Sequence, residues 1–278
     1  MKESVEKSYR TLLKLYEEIP EASVCFNITG CTIEGLAENF PDVLEGLREG
    51  CARGQFEILS SASYHPILPL IPYEHAVDQI KHNVELIRRH VGFEPKGFFP
   101  PEHGYAAPII DALKEAGLEW FILDELVVKR SHPDLGELYK PFWAIGAREK
   151  AICVVRAKPI SQGLWAASVG GFSTDDFLRF CEQFPDDFLL VSSTDAELIG
   201  LHWAYGPTWL RECLQKLLKS EKIELVRVSD WLRDHPPSRT LYLNAGTWAH
   251  DGKFTLWTRR PDNVSLHRLC SFARLKVV

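Results

Sequence analysis

Apolar and polar positions follow two alternating spacings along the chain, one typical of helices and one typical of strands. Helical spacing predicts helices over 5–16, 33–53 (interrupted near Pro41), 76–91, 108–116, 175–184 and 209–217. Short apolar runs between them predict strands over 23–28, 55–59, 96–99, 120–123, 152–156, 188–191 and 224–228. Gly92 and Gly117 follow two of the helices directly, as glycines that terminate helices do.

This β–α alternation predicts an α/β fold with a parallel sheet covered by helices, either an open doubly wound sheet or a barrel. No glycine-rich phosphate-binding motif follows any strand, so the sequence does not support nucleotide binding at a first βα turn. No Gly/Ser-rich or Pro-rich linker divides the chain, and we predict one domain over residues 1–278. The carboxyl ends of the strands share one face in such folds, and we therefore expect the polar residues assigned to these ends to lie close together. These residues are Asn27, Glu57, Glu102, Asp124 and Asp195.

Composition and charge narrow the class of protein. The 278 residues carry a formal net charge of −6 without a basic run, which argues against nucleic acid or an anionic membrane as the main partner. No apolar stretch is long enough for a transmembrane helix, and the first residues lack a signal-peptide pattern. The seven cysteines are scattered without a C-x-x-C pair, as is typical of reduced thiols in a cytoplasmic protein. Self-association into a homo-oligomer stays open.

Two runs combine carboxylates with aromatic residues just after a predicted strand. FFPPEHGYA presents Glu102, and SSTDAELIGLHWAYGP presents Asp195 with His202 and Trp203 close behind. Aromatic faces stack on sugar rings and raise carboxyl pKa values by desolvation, which a general acid needs. The alternative is structural: Glu102 caps the following helix, and Asp195 is the N-cap of another.

Two further runs offer binding residues. Glu57 and His65 lie in the run 52–72, and the glycine-punctuated loop NAGTWAHDGKFTLW carries Trp248 and Asp251. A histidine before a proline is more often a loop hydrogen-bonding group than a catalyst, and the loop is either a cover for the site or a surface hairpin. Trp143 and Trp165 fit a sugar groove or the core equally well.

In the order of its segments, the chain resembles the glycoside hydrolases of family 57, which include α-amylases, 4-α-glucanotransferases and glycogen branching enzymes. The resemblance spans residues 23–257 and rests on the joint order of five segments: FNITGCTIEGL, GQFEI with YHPILPL, FFPPEHGY, TDAELIGLHW and AGTWAHDGKFTLW. The family opens with a strand ending in His-x-Pro, whereas the first histidine here is His65. In the fourth segment the family's Gly-His-Trp-Trp is replaced by Gly200-Leu201-His202-Trp203.

The resemblance implies a seven-stranded (β/α) barrel, incomplete or open because the first strand is missing. It also implies an enzyme that acts on α-glucans by a retaining mechanism, with Glu102 as nucleophile and Asp195 as acid/base. Residues expected to bind substrate are Glu57, His65, Asp124, His202, Trp203, Trp248 and Asp251. This chemistry needs no metal or organic cofactor.

Two alternatives from other classes stay open. A metal-dependent carbohydrate deacetylase on a related barrel would need an Asp and two His on one ion, and the sequence has no H-x-x-x-H pair. A barrel relic that binds glycans or a partner without turnover is the second. The missing strand also predicts an exposed edge on the strand over 23–28, left open or covered by the first helix or by a partner chain.

Overall fold

The computed structural model describes residues 1–265, and its helices match most of the predicted ones. They are α1 (Lys2–Ser4), α2 (Arg10–Glu18), α3 (Gly30–Asn39), α4 (Pro41–Ala52), α5 (Tyr73–Val91), α6 (Pro108–Glu115), α7 (Glu125–Ser131), α8 (Lys158–Ser168), α9 (Thr174–Cys181), α10 (Gly206–Leu217), α11 (Val228–Asp234) and α12 (Thr255–Thr258). A π-helical turn, Val5–Tyr9, joins α1 to α2. Short 3₁₀ helices lie at Leu68–Leu70, Pro101–His103 and Ala196–Leu198.

The strands are β1 (Val24–Asn27), β2 (Phe56–Leu59), β3 (Gly97–Phe98), β4 (Trp120–Asp124), β5 (Phe142–Ile145), β6 (Lys150–Arg156) and β7 (Thr240–Leu241). β1 pairs with β2, and the remaining strands follow the order β3-β4-β6-β5-β7. A parallel bridge between Ser60 and Phe98 connects the two groups. All pairings are parallel except that of β5 with β6. The sheet is therefore mainly, but not entirely, parallel.

Large apolar side chains on the strands form the core. Phe98, Trp120 and Phe121 are almost fully buried, and α5 adds the predicted stripe that includes Ile80 and Ile87. Gly92 follows α5 with φ 70°, a left-handed conformation that glycine adopts without a steric penalty, as the sequence predicted. These contacts fix the carboxyl ends of the strands, where the candidate site residues begin.

Two predicted strands are not regular strands in the structure. The segment 188–191 contributes only a bridge between Val191 and Arg156, and the segment 224–228 forms no ladder, its last residue being the first of α11. Conversely, β5, β7, α7, α8, α11 and α12 were not predicted. A tight turn connects β5 to the antiparallel β6. The backbone N–H groups of this turn at positions 147, 148 and 149 donate to the buried Asp111 carboxylate.

The fold is a (β/α) barrel-like arrangement that does not close. Among residues 1–265, β1 pairs with β2 alone, so its other edge is left without a strand partner. The helical segment over residues 2–18 packs next to this strand, and the rings of Tyr16 and Phe26 make an edge contact at 6.0 Å between centroids. The open barrel is one of the outcomes expected from the missing strand.

Candidate active site

A large cavity of about 1230 Å³ is lined by β1, by the 188–199 and 221–228 regions, and by residues at or just beyond the carboxyl ends of β2, β3 and β6. Many of its walls are apolar, but its lining includes seven of the polar or aromatic residues singled out from the sequence: Asn27, His65, Glu102, Trp165, Asp195, His202 and Trp248. Three of the five residues assigned to strand exits, Asn27, Glu102 and Asp195, therefore reach the same cavity. Asn27 ends β1 and Glu102 follows β3, and such parallel strands end at one face, whereas Asp195 follows a segment that forms no regular strand.

Glu102 enters the cavity from a backbone in a rare conformation. It has φ 56° and ψ 23°, and the next residue, His103, has φ 47°. His65, on the neighbouring loop, is also left-handed with φ 54°. Such conformations cost non-glycine residues free energy and cluster at functional sites. The prolines at positions 100 and 101 restrict the approach to this turn and help to hold it.

The carboxylate of Glu102 is held in its ionised form by two neighbours. His65 Nε2 lies 3.6 Å from Oε1, and the indole N–H of Trp248 donates to Oε2 at 2.8 Å. The His65 imidazole and then the Trp248 donor lower the pKa of Glu102, and they outweigh the opposing effect of its partial burial. The group is therefore an anion at neutral pH, as a nucleophile must be.

The loop that carries Trp248 is fastened to the same turn. The Thr247 hydroxyl donates to the backbone carbonyl of Glu102 at 2.5 Å. The buried His103 ring lies between the rings of Phe99 and Trp248, at centroid distances of 4.7 and 5.1 Å. Burial lowers the pKa of His103 to about 3, so its imidazole is neutral and serves as packing between the two loops.

Arg156 is a residue of this site that the sequence analysis did not single out. Its guanidinium pairs with Asp124 at 2.7 Å, donates to the Ser193 hydroxyl at 2.7 Å and lies 5.4 Å from the Trp248 ring centroid. Asp124 and Arg156 are partners in the register of β4 and β6. The signal available in the sequence was a charged residue at the carboxyl end of an apolar strand. Asp124 thus contacts the cavity wall through Arg156.

Asp195 lies on the segment between the 188–191 run and α10. It is the residue immediately before the 3₁₀ helix Ala196–Leu198, and its side chain does not cap that helix. The residue is exposed and makes no side-chain hydrogen bond with the described part of the chain. Its carboxyl group is therefore free to reach a ligand in the cavity.

Besides Asp124, three more predicted substrate-binding residues do not line the cavity. Glu57 is the second residue of β2 rather than its last, and its buried carboxylate accepts from the Ser229 backbone N–H and hydroxyl. The assignment of Glu57 to a strand exit was wrong for that reason. Trp203 packs on Trp209 in the core at 5.5 Å, and Asp251 accepts from the Lys253 N–H and the Thr255 hydroxyl of its own loop.

Neither a metal cluster nor a membrane span is found in residues 1–265. No three His, Cys, Asp or Glu side chains in that range are arranged to share one metal ion. No helix there combines the length and the apolar character that crossing a bilayer requires. Cys270 lies outside the described residues.

Curated proteins of known activity resemble this chain over most of its length. It is 28% identical over 262 residues to the 4-alpha-glucanotransferase of Thermococcus litoralis, and 27% identical over 265 residues to the alpha-amylase of Pyrococcus abyssi. These alignments cover 91% and 92% of this chain but 39% of each relative. The chain therefore spans about two fifths of the length of these relatives.

Solved structures agree with the fold. The crystal structure of the Thermococcus litoralis 4-alpha-glucanotransferase superposes with a TM-score of 0.81 at 26% identity, covering 89% of this chain and 39% of that one. A branching enzyme from Pyrococcus horikoshii gives 0.80 at 17% identity, covering 92% and 69%, and this shows the fold alone. The family model of glycosyl hydrolase family 57 matches residues 2–244, and the chain belongs to that family.

Proposed function

We propose that this chain is the catalytic part of a retaining glycosidase or transglycosidase that acts on α-glucans. The observation that carries the proposal is the ionised Glu102, held in a strained turn by His65 and Trp248, on the wall of a cavity that also includes Asp195. The relatives named alpha-amylase and 4-alpha-glucanotransferase support α-glucan as the substrate class.

The reaction would proceed in two displacements. In the first, Glu102 attacks the anomeric carbon, the glycosidic C–O bond breaks, and Asp195 protonates the departing oxygen. In the second, Asp195 removes a proton from water or from an acceptor sugar, whose oxygen attacks the anomeric carbon and releases Glu102. Hydrolysis and transfer differ only in that acceptor.

The remaining cavity residues would orient the sugar. The Trp248 ring, about two fifths exposed, presents an apolar face that suits a pyranose ring, while its N–H is already committed to Glu102. His65 and His202 are both exposed at the lining and are placed to bind hydroxyl groups. The Arg156 guanidinium, 5.4 Å from the centroid of the Trp248 ring, would support that ring, and Asp124 neutralises this largely buried cation.

The Glu102→Ala variant tests this function. Loss of the nucleophile should lower turnover of maltoheptaose by about 10⁴-fold or more, because the glycosyl-enzyme ester cannot form. Maltoheptaose binding by calorimetry and the thermal unfolding midpoint should stay close to those of the unmodified chain. Glu94→Ala is a matched control, since Glu94 is a surface carboxylate paired with Arg88 outside the cavity.

Two results would overturn the proposal. An unchanged rate in the Glu102→Ala variant would remove Glu102 from the chemistry. Binding of maltoheptaose without turnover by the unmodified chain would leave the alternative of a glycan-binding barrel.

A further inference from the structure

The helical segment over residues 2–18, which is distant in sequence, hydrogen-bonds to and packs on the segment that carries Asp195. Ser8 is fully buried, and its hydroxyl donates to the backbone carbonyl of Ala196 at 2.5 Å. The Tyr9 hydroxyl donates to the carboxylate of Glu197. These two hydrogen bonds hold the two residues that directly follow Asp195.

A third contact is a close approach of backbones. Gly200 has φ 98°, and a β-carbon at this position would lie 2.0 Å from the carbonyl oxygen of Lys7. Only glycine allows the two chains to come so near. The next residue towards Asp195, Ile199, is buried in the same apolar cluster as Val5 and Leu12. Polar and apolar contacts thus fix one face of the 196–200 segment.

Ser8 and Tyr9, which donate these hydrogen bonds, lie in the one π-helical turn of the described chain, Val5–Tyr9. Single π-turns within α-helices are rare and occur often at functional sites. Here the turn separates α1 from α2 and contains Lys7, Ser8 and Tyr9, each of which approaches the 196–200 segment. Burial and the Glu197 carboxylate both raise the pKa of Tyr9, so its hydroxyl keeps the proton that it donates.

We propose that Ser8 and Tyr9 are positioning residues for Asp195, which they hold at the cavity wall by fixing Ala196 and Glu197. Asp195 has no side-chain partner of its own among the described residues, so its placement depends on the backbone that follows it. This inference rests on the proposed function, in which Asp195 is the acid/base. Ser8 and Tyr9 position Asp195 and have no role in positioning Glu102.

The test separates the two catalytic groups by choice of substrate. Maltoheptaose needs Asp195 to protonate the departing sugar and to activate water. With α-maltosyl fluoride and azide, fluoride leaves without protonation and azide attacks the glycosyl-enzyme without a base, giving maltosyl azide. The second reaction therefore needs Glu102 but not Asp195.

The Tyr9→Phe variant keeps the ring and removes only the hydrogen bond to Glu197. We expect kcat on maltoheptaose to fall about tenfold with little change in KM, because a misplaced acid/base loses part of its contribution. The rate with α-maltosyl fluoride and azide should stay within about threefold of that of the unmodified chain. Ser8→Ala should show the same selectivity.

Tyr73→Phe is the matched control, since Tyr73 makes the same kind of hydrogen bond to Glu115 at 2.6 Å outside the cavity. It should change neither rate. Equal losses with both substrates in Tyr9→Phe, or no loss with either, would overturn the positioning role.

Asp195→Asn separates this inference from the proposed function. It should show the same selectivity more strongly. If it does and Tyr9→Phe does not, only the positioning role fails. If Asp195→Asn lacks the selectivity, the acid/base assignment fails and the inference falls with it.

Discussion

The backbone of Glu102 stores strain that its neighbours hold in place. A left-handed conformation costs a non-glycine residue about 1–3 kcal/mol, and His103 adds a second such residue directly after it. The Thr247 hydroxyl on the Glu102 carbonyl and the Trp248 indole on its carboxylate tie the turn to another loop. One turn therefore carries both the orientation and the charge of the proposed nucleophile.

Replacing Trp248 by Phe should shift the acid limb of the pH–rate profile to higher pH. His65 first and Trp248 second lower the pKa of Glu102, so losing the indole donor raises it. Activity requires the carboxylate, which is lost as the pH falls through this pKa, and a higher pKa brings that loss at higher pH. We expect a shift of about one pH unit in kcat/KM for maltoheptaose.

The matched control is Trp143→Phe, because Trp143 lies on β5 and does not line the cavity. This variant should keep the unmodified profile. An acid limb that stays in place in Trp248→Phe, or moves to lower pH, would show that the indole does not stabilise the anion.

At the scale of elements, Glu57 ties β2 to the start of α11. Its carboxyl group accepts from the backbone N–H of Ser229 at 3.1 Å and from the Ser229 hydroxyl, while the Cys25 thiol on β1 lies at 3.5 Å. Burial raises the pKa of Glu57 despite these donors. The residue therefore acts between three elements of the scaffold.

Substitutions at Glu57 should change stability in a pH-dependent way. Glu57→Ala leaves the Ser229 N–H without its acceptor and should lower the free energy of unfolding by about 1–3 kcal/mol in urea titrations. Because the pKa of Glu57 is higher in the folded chain than in the unfolded chain, protonation of Glu57 stabilises the folded state. This stabilisation is fully present below pH 4.5 and is lost as the pH rises through the folded-state pKa. Glu57→Gln has no such dependence, so its thermal midpoint relative to the unmodified chain should rise between pH 5 and pH 8. A constant difference over that range would contradict the raised pKa.

The spacing of apolar residues predicted most helices and buried strands, but it did not predict which strands pair with each other. The stripe of α5 and its terminal Gly92 were readable because one face packs on the core. The run 188–191 is as apolar as a strand, yet its backbone bonds go to scattered partners, with the Leu189 N–H on the Tyr139 carbonyl and the Val191 carbonyl accepting from Ala157. β5 was missed although the short turn at Gly146 between two apolar runs signals a hairpin.

Part of the candidate site could also be predicted from the apolar runs in the sequence. Glu102 follows β3 and lines the cavity, as the convergence of strand ends predicts, and Asp195 lines the same cavity although the run 188–191 before it forms no regular strand. Arg156 escaped notice because its role depends on the register that sets it beside Asp124. Ser8 and Tyr9 lie 188 positions from Ala196 and Glu197, and no spacing within the chain connects such residues.

At the scale of the whole molecule, the open barrel leaves a cavity between its sheet and the helical segment over residues 2–18. Residues of that segment, β1, the 188–199 region and the 221–228 region all line it, together with Glu102 and Trp248. The same open side that leaves β1 without a second strand partner therefore contributes to the site.

The stereochemistry of the product tests whether the two carboxyl groups act as nucleophile and acid/base. A double displacement keeps the configuration at the anomeric carbon, so maltoheptaose should first release the α-anomer, followed by mutarotation in proton NMR spectra. An inverting pair would release the β-anomer first, and that result would remove Glu102 from the role of nucleophile.

Trapping the glycosyl-enzyme tests the central claim most directly. In Asp195→Asn, α-maltosyl fluoride can still react with Glu102, because fluoride leaves without protonation, but water is no longer activated and the ester should accumulate. Mass spectrometry of the digested protein should then locate one maltosyl group on the peptide that contains Glu102. A maltosyl group on another carboxylate such as Glu197, or turnover with no covalent intermediate, would contradict the mechanism.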